Sequence, residues 1–197
     1  MKHKVSEEIQ GVLTFVAVLW GVYLLDCIIP IQFVDWGVVP RTLYGLIGIP
    51  LAPLLHASLG HILSNTIPVF ILLTLLAGSR TRTWETVIEI ILLGGLLLWI
   101  FGRPAVHVGA SSLVYGLIAF LIVSGFRERR PVPLIVAILV GVLYGTTLIS
   151  GVIPKIGSNV SWDGHLCGAI AGGILGYFTL SRENKEDATL TQTSEIG

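Results

Sequence analysis

The chain has 197 residues and no formal net charge at pH 7, and it is 53% hydrophobic but only 12% charged. Soluble domains average about 25% charged residues, so this composition excludes an ordinary soluble domain and indicates a polytopic membrane protein surrounded by lipid. The balanced charge gives no bias toward nucleic acid, and no such partner is expected. Cys27 and Cys167 have neither CxxC nor zinc-site spacing, which predicts two inert thiols, with a single bridge as the alternative.

The apolar stretches predict the fold class. A membrane-spanning helix needs roughly 20 mostly apolar residues. Six stretches are candidates, at residues 11–31, 62–78, 86–100, 111–126, 133–150 and 165–180, and the third and fourth are short. We therefore predict an all-α membrane protein whose six-transmembrane-helix bundle occupies residues 11–180. Residues 1–10 form a cytoplasmic N-terminus, and the polar residues 181–197 form a disordered cytoplasmic tail. The first stretch is too long for a signal peptide and no A-x-A site follows it, so it is expected to stay as the first span.

Residues 32–60 are too long and too apolar for an ordinary loop. Trp36 and three prolines lie among leucines and isoleucines in this segment. The pattern predicts a membrane-associated first outer loop with short interfacial helices.

The positive charges predict the orientation. With the N-terminus inside, nine Lys and Arg residues lie in inside loops, and three lie outside, at Arg41, Arg103 and Lys155. We therefore expect a multi-pass protein of a prokaryotic cell membrane with both termini in the cytoplasm. Spans two, four and six then run from outside to inside, so their first residues share the outer face.

Those three helix starts carry the chemistry. His61 and Asn65 open span two, Ser111 opens span four after Gly109, and His165 opens span six. A serine nucleophile needs a base to take its proton and donors for the oxyanion. The positions predict Ser111 as nucleophile, His165 as base, and two hydrogen-bond donors one helical turn apart. The simpler alternative is a capping histidine and polar groups that join neighbouring helices.

The spacing of residues near Ser111 and His165 predicts further contacts. Tyr115, one turn after Ser111, can pack flat on the imidazole of His165. Small residues at four-residue spacing between 168 and 176 would let span six approach span four closely. Asp163 is interpreted as a helix cap rather than a triad acid, and His107 as a loop histidine that belongs to no evident constellation.

A metal site is not expected. If His56 and His61 lay on one helix, their side chains would diverge by about 140°. The sequence also has no HExxH motif. We therefore predict neither a metal nor a cofactor.

Together, residues 56–65, 109–112 and 164–168 resemble the rhomboid family of intramembrane serine proteases, over about residues 55–177. The resemblance implies a catalytic dyad of Ser111 and His165. It implies oxyanion donors at His61, Asn65 and the Ser111 backbone N–H, with Gly109, Tyr115 and His56 in supporting positions. Two positions depart from the family pattern: Ser112 replaces the second glycine of GxSG, and Trp36 and Arg41 stand apart where the family often has an adjacent Trp-Arg pair.

The resemblance further implies cleavage of transmembrane segments of single-span or polytopic membrane proteins near their outer end, at small residues and locally unstable helix. We expect a monomer or weak homo-oligomer. One alternative is a catalytically inactive rhomboid-like protein that binds membrane clients, although such relatives usually lack the serine or the histidine. Another is a small transporter, but no inverted repeat is visible and the polar residues lie at one face, not at the midplane.

Overall fold

The structure is a computed structural model that describes residues 5–80, 82–154 and 160–195, with side chains described between residues 6 and 178 of those ranges. The described chain is helical, without strands, apart from one isolated bridge between Val38 and His107. The α-helices are α1 (Val5–Ile28), α2 (Gly48–Leu51), α3 (Leu59–Ser79), α4 (Thr83–Phe101), α5 (Ser111–Glu128), α6 (Pro131–Val152) and α7 (Trp162–Glu195).

Among the described helices, α1, α3, α4, α5 and α6 are each long and apolar enough to cross a membrane. The sixth predicted span lies within α7, which packs against α4 and α5. The chain is therefore an integral, multi-pass, all-α membrane protein. The backbone of α7 continues as helix to Glu195, through the segment expected to be a disordered tail. Five strong helix formers lie close together at the start of this segment, at Arg182, Glu183, Lys185, Glu186 and Ala188.

Helix α5 is the centre of the bundle. In its most apolar 18-residue window 61% of residues are buried, against 11% in α1. Leu117, Ile118 and Leu121 are fully or almost fully buried, and they pack against buried residues of α3 and α6 such as Leu72 and Val140. The helix that begins at Ser111 is thus surrounded by protein rather than lipid.

The small residues of α7 bring this helix into direct backbone contact with α5. A Cβ atom on Gly168 would lie 2.8 Å from the carbonyl carbon of Ser112, and one on Gly172 would lie 2.6 Å from that of Gly116. Only glycine fits at either position, and the predicted pairing of spans four and six is confirmed.

The first loop contains the short helices that the sequence predicts: α2 and three 3-10 helices, Phe33–Trp36, Tyr44–Leu46 and Ala52–Leu54. Its outward side is apolar, with Leu43 85% and Ile47 62% exposed. These side chains suit a loop that contacts lipid.

Arg41 and Trp99 fasten this loop to the end of α4. The Arg41 guanidinium donates to the carbonyl oxygens of Ile100 and Gly102 at 3.0 and 2.9 Å, and the Trp99 indole donates to the Thr42 carbonyl at 2.8 Å. The arginine therefore satisfies carbonyl groups that the end of a helix leaves unpaired. Trp36 stacks instead on Phe33, with ring centroids 5.2 Å apart.

At the opposite end of the bundle a buried ion pair joins α3 to α5. Arg80, directly after α3, pairs with Glu128 and donates to the Ser124 hydroxyl at 2.7 Å. Both charged side chains are at most 6% exposed. The pair joins these helix ends at the end of the bundle opposite to the starts of α3 and α5.

Candidate active site

The starts of α3 and α5 meet at Gly109. The Ser58 hydroxyl accepts the His61 backbone N–H at 3.2 Å and caps α3. Gly109 has φ +108°, which disfavours other residues, and a Cβ atom there would lie 2.5 Å from Cε1 of His61. The His61 ring thus covers the backbone just before Ser111, the first residue of α5.

His165, in the first turn of α7, is held on two sides. Its ring lies flat on Tyr115, with centroids 4.1 Å apart and planes 3° from parallel, which is the predicted stacking. Its Nδ1 lies 3.0 Å from the carbonyl oxygen of Gly151, and the Tyr115 hydroxyl donates to the Thr147 carbonyl at 3.0 Å. Because a carbonyl can only accept, this hydrogen bond requires a proton on Nδ1, and in the neutral ring Nε2 then has the lone pair.

The roles of Thr147 and Gly151 could not be predicted from the sequence, because both residues act through backbone carbonyls in the last turns of α6. Gly151 is required sterically, since a Cβ atom there would lie 2.7 Å from Cε1 of Tyr115. Three helices, α5, α6 and α7, therefore position one imidazole.

Ser112, which replaces the motif glycine, faces glycines on both neighbouring helices. Its hydroxyl oxygen lies 2.9 Å from where a Cβ atom of Gly168 would be and 3.6 Å from that of Gly94. The absent side chains on α4 and α7 leave room for the serine, so the bundle accommodates this departure locally.

The expectation that His56 and His61 point apart is wrong, because α3 begins at Leu59 and His56 precedes the helix. Their rings meet edge to face at 5.0 Å. His56 Nδ1 lies 3.3 Å from the Leu54 carbonyl oxygen. Burial, and to a lesser extent the neighbouring His61, lowers the pKa of His56 to about 4, so this side chain is neutral at pH 7.

Asn65 is buried at the same helix start, one turn after His61. Its Nδ2 donates to the carbonyl oxygen of His61 at 2.9 Å. An amide nitrogen has two hydrogens, so one is used within α3 and a second can serve a ligand.

The interpretation of Asp163 as a helix cap is wrong. The Ser161 hydroxyl accepts the Gly164 N–H at 3.3 Å at the start of α7, whereas Asp163 pairs with Arg103, 60 residues earlier. His107, for which no constellation was evident in the sequence, lies 2.7 Å from the Ser161 hydroxyl through Nδ1. Sequence reasoning missed this cluster because its members are distant in the sequence. Within the described ranges no three His, Cys, Asp or Glu side chains are grouped to hold a metal ion, and both cysteines are free.

Known proteins resemble this chain over most of its length. A family model for the rhomboid domain matches residues 41–182. Uncharacterized proteins of Mycobacterium tuberculosis and Mycobacterium bovis are 40% identical to it over 187 residues, which cover 90% of this chain and 77% of theirs. An uncharacterized protein of Mycobacterium leprae is 37% identical over 187 residues and is covered over 73% of its length.

Proposed function

Because this chain belongs to the rhomboid family, whose members are usually intramembrane serine proteases, we propose that it is an intramembrane serine endopeptidase. Its substrates are single-span or polytopic membrane proteins, cut in a transmembrane segment near the outer face, with both of its own termini cytoplasmic. Ser111 is the nucleophile and His165 the base. The observation that carries the proposal is the orientation of His165, whose ring is stacked on Tyr115 with Nδ1 facing the Gly151 carbonyl.

This orientation suits general base catalysis. With the Nδ1 proton held by a carbonyl, Nε2 can take the proton of Ser111 as its hydroxyl attacks the scissile carbonyl, and can return it to the leaving amine. A backbone carbonyl fills the place that a carboxylate has in a triad. Asp163 does not fill it, because its oxygens face Arg103 and Ser161.

The oxyanion of the tetrahedral intermediate would form at the start of α5. The first intrahelical bond there runs from the Val114 N–H to the Ala110 carbonyl, so the Ser111 N–H has no partner within its own helix. The helix dipole adds positive potential at this end. His61 and the second Nδ2 hydrogen of Asn65 supply further donors.

A serine-reactive fluorophosphonate probe tests the nucleophile. The wild-type protein should be labelled, and Ser111→Ala and His165→Ala should not. Ser112→Ala is the matched control, because it removes the adjacent hydroxyl and should keep labelling. Labelling that persists in Ser111→Ala would refute the assignment. A folded wild-type protein that is never labelled would favour an inactive client-binding protein or a transporter.

A further inference from the structure

A polar cluster, buried except for one arginine, lies between the loop before Ser111 and the turn before His165. We define the Arg103–Asp163 cluster as Arg103, His107, Ser161 and Asp163. The Asp163 carboxylate, 7% exposed, accepts from the Arg103 backbone N–H at 2.9 Å and from the guanidinium Nε and Nη2, each at 3.2 Å. Two-point pairing of this kind fixes direction as well as distance. The guanidinium also covers the ring of Trp162 at 5.2 Å.

His107 connects this ion pair to two other segments. Its Nδ1 lies 2.7 Å from the Ser161 hydroxyl, and its Nε2 lies 3.0 Å from the Arg103 carbonyl oxygen and 3.8 Å from Asp163 Oδ2. Its backbone N–H and carbonyl each pair with Val38 at 2.9 Å. The side chain is 4% exposed, so the first loop, the α4–α5 loop and the start of α7 meet at a buried histidine.

The cluster adjoins the two proposed catalytic residues. His107 is four residues before Ser111, and Asp163 is two residues before His165. A cavity of about 20 Å³ borders His107, Ser161, Gly109 and Ser111 together. The Asp163 carboxylate and the His107 ring are buried although Arg103 is 42% exposed, and a buried carboxylate is costly to leave without its partner. A shift at Arg103 or Asp163 is therefore transmitted to the backbone that carries the dyad.

We propose that the Arg103–Asp163 cluster is a positioning device that sets the start of α5 against the start of α7, and so brings Ser111 and His165 into register. This inference rests on the proposed protease function. Its members are positioning residues, because their polar atoms are engaged with one another. Loss of the ion pair should therefore lower kcat and leave KM almost unchanged.

Cleavage of a single-span substrate in liposomes by the purified full chain tests this role. Asp163→Asn keeps the shape of the side chain but removes its charge, and Arg103→Gln removes the partner. Each should lower kcat by about 10–100-fold, since a misplacement on the order of 1 Å costs about that much. The double variant should be no worse than the worse single variant, because both break one interaction. Arg103→Lys, which keeps the charge without the fork, should recover part of the loss.

Glu128→Gln is the matched control, because it breaks a buried ion pair with Arg80 at the other end of the bundle. It should lower the thermal unfolding midpoint and leave kcat of the folded protein intact. If Asp163→Asn behaves in the same way, the cluster is merely structural and the inference is wrong. If Asp163→Asn does not fold, Arg103→Lys tests the inference instead, because the Arg103 side chain is 42% exposed and its replacement should be tolerated. A wild-type kcat in folded Arg103→Lys would also overturn the inference. A wild-type protein that cleaves no substrate would refute the protease function itself.

Discussion

Replacement of Gly172 by alanine should separate α5 from α7 and slow cleavage by displacing His165 from Ser111. The added Cβ atom would lie 2.6 Å from the carbonyl carbon of Gly116, whereas ordinary contacts begin at 3.4 Å. The helices must therefore move apart by about 1 Å, and a misplacement of that size costs about 100-fold in rate. Because helices in lipid associate through close van der Waals contact at small residues, the thermal unfolding midpoint should fall as well.

Gly173→Ala is the matched control, since a Cβ atom at Gly173 meets nothing within 4 Å. Both variants gain about 1 kcal/mol of helix propensity, so only the contact with α5 distinguishes them. The assay is kcat for a transmembrane substrate in liposomes, measured beside the unfolding midpoint in detergent. Wild-type kcat and stability in Gly172→Ala would refute the idea that this contact positions His165.

Other variants probe the remaining parts of the site. Asn65→Ala should lower kcat by about 10²–10³ at most, because other oxyanion donors remain, and a change in KM alone would make Asn65 a substrate-binding residue instead. Gly151→Ala should lower kcat by displacing Tyr115, whereas Gly145→Ala, with nothing within 4 Å of the added Cβ atom, should not; equal rates would contradict this account of His165. The pKa of His56 is lowered from its ordinary 6.5 to about 4 in the folded protein, so the neutral side chain stabilises the fold above pH 6.5 and this contribution is lost as the pH falls toward 4. The thermal unfolding midpoint of His56→Asn should therefore fall less on acidification than that of wild type. Identical pH profiles of the two midpoints would contradict the lowered pKa. Cysteine accessibility should find residues 127–130 and both termini in the cytoplasm, and external labelling of that loop would reverse the orientation.

Much of the helical framework was predictable because lipid leaves the chain few options. A spanning segment must satisfy its own backbone hydrogen bonds, so long apolar stretches become helices. Small residues four apart indicated the face of α7 that approaches α5. The first loop was also predictable, since its apolar residues are interrupted by prolines. These signals depend on composition and local spacing, which the sequence contains directly.

The errors came from choices that distant residues decide. Ser and Asp are both common helix caps, so the sequence could not show which of Ser161 and Asp163 caps α7. Ser161 does so because the Asp163 carboxylate is paired with Arg103. The contact between His56 and His61 was missed because the Ser58 cap sets the start of α3, so that His56 lies before the helix and can turn toward His61. The role of the Gly151 carbonyl could not be predicted from the sequence, since every residue has a backbone carbonyl.

Cleavage of a single-span membrane protein in liposomes, with the cut position mapped by mass spectrometry, tests the central claim most directly. Wild type and Ser112→Ala should cut the substrate within its transmembrane segment near the outer end, and Ser111→Ala and His165→Ala should each leave it intact. The double variant should be no less active than either single variant, because the two residues act as one unit. Turnover by purified Ser111→Ala would contradict the account.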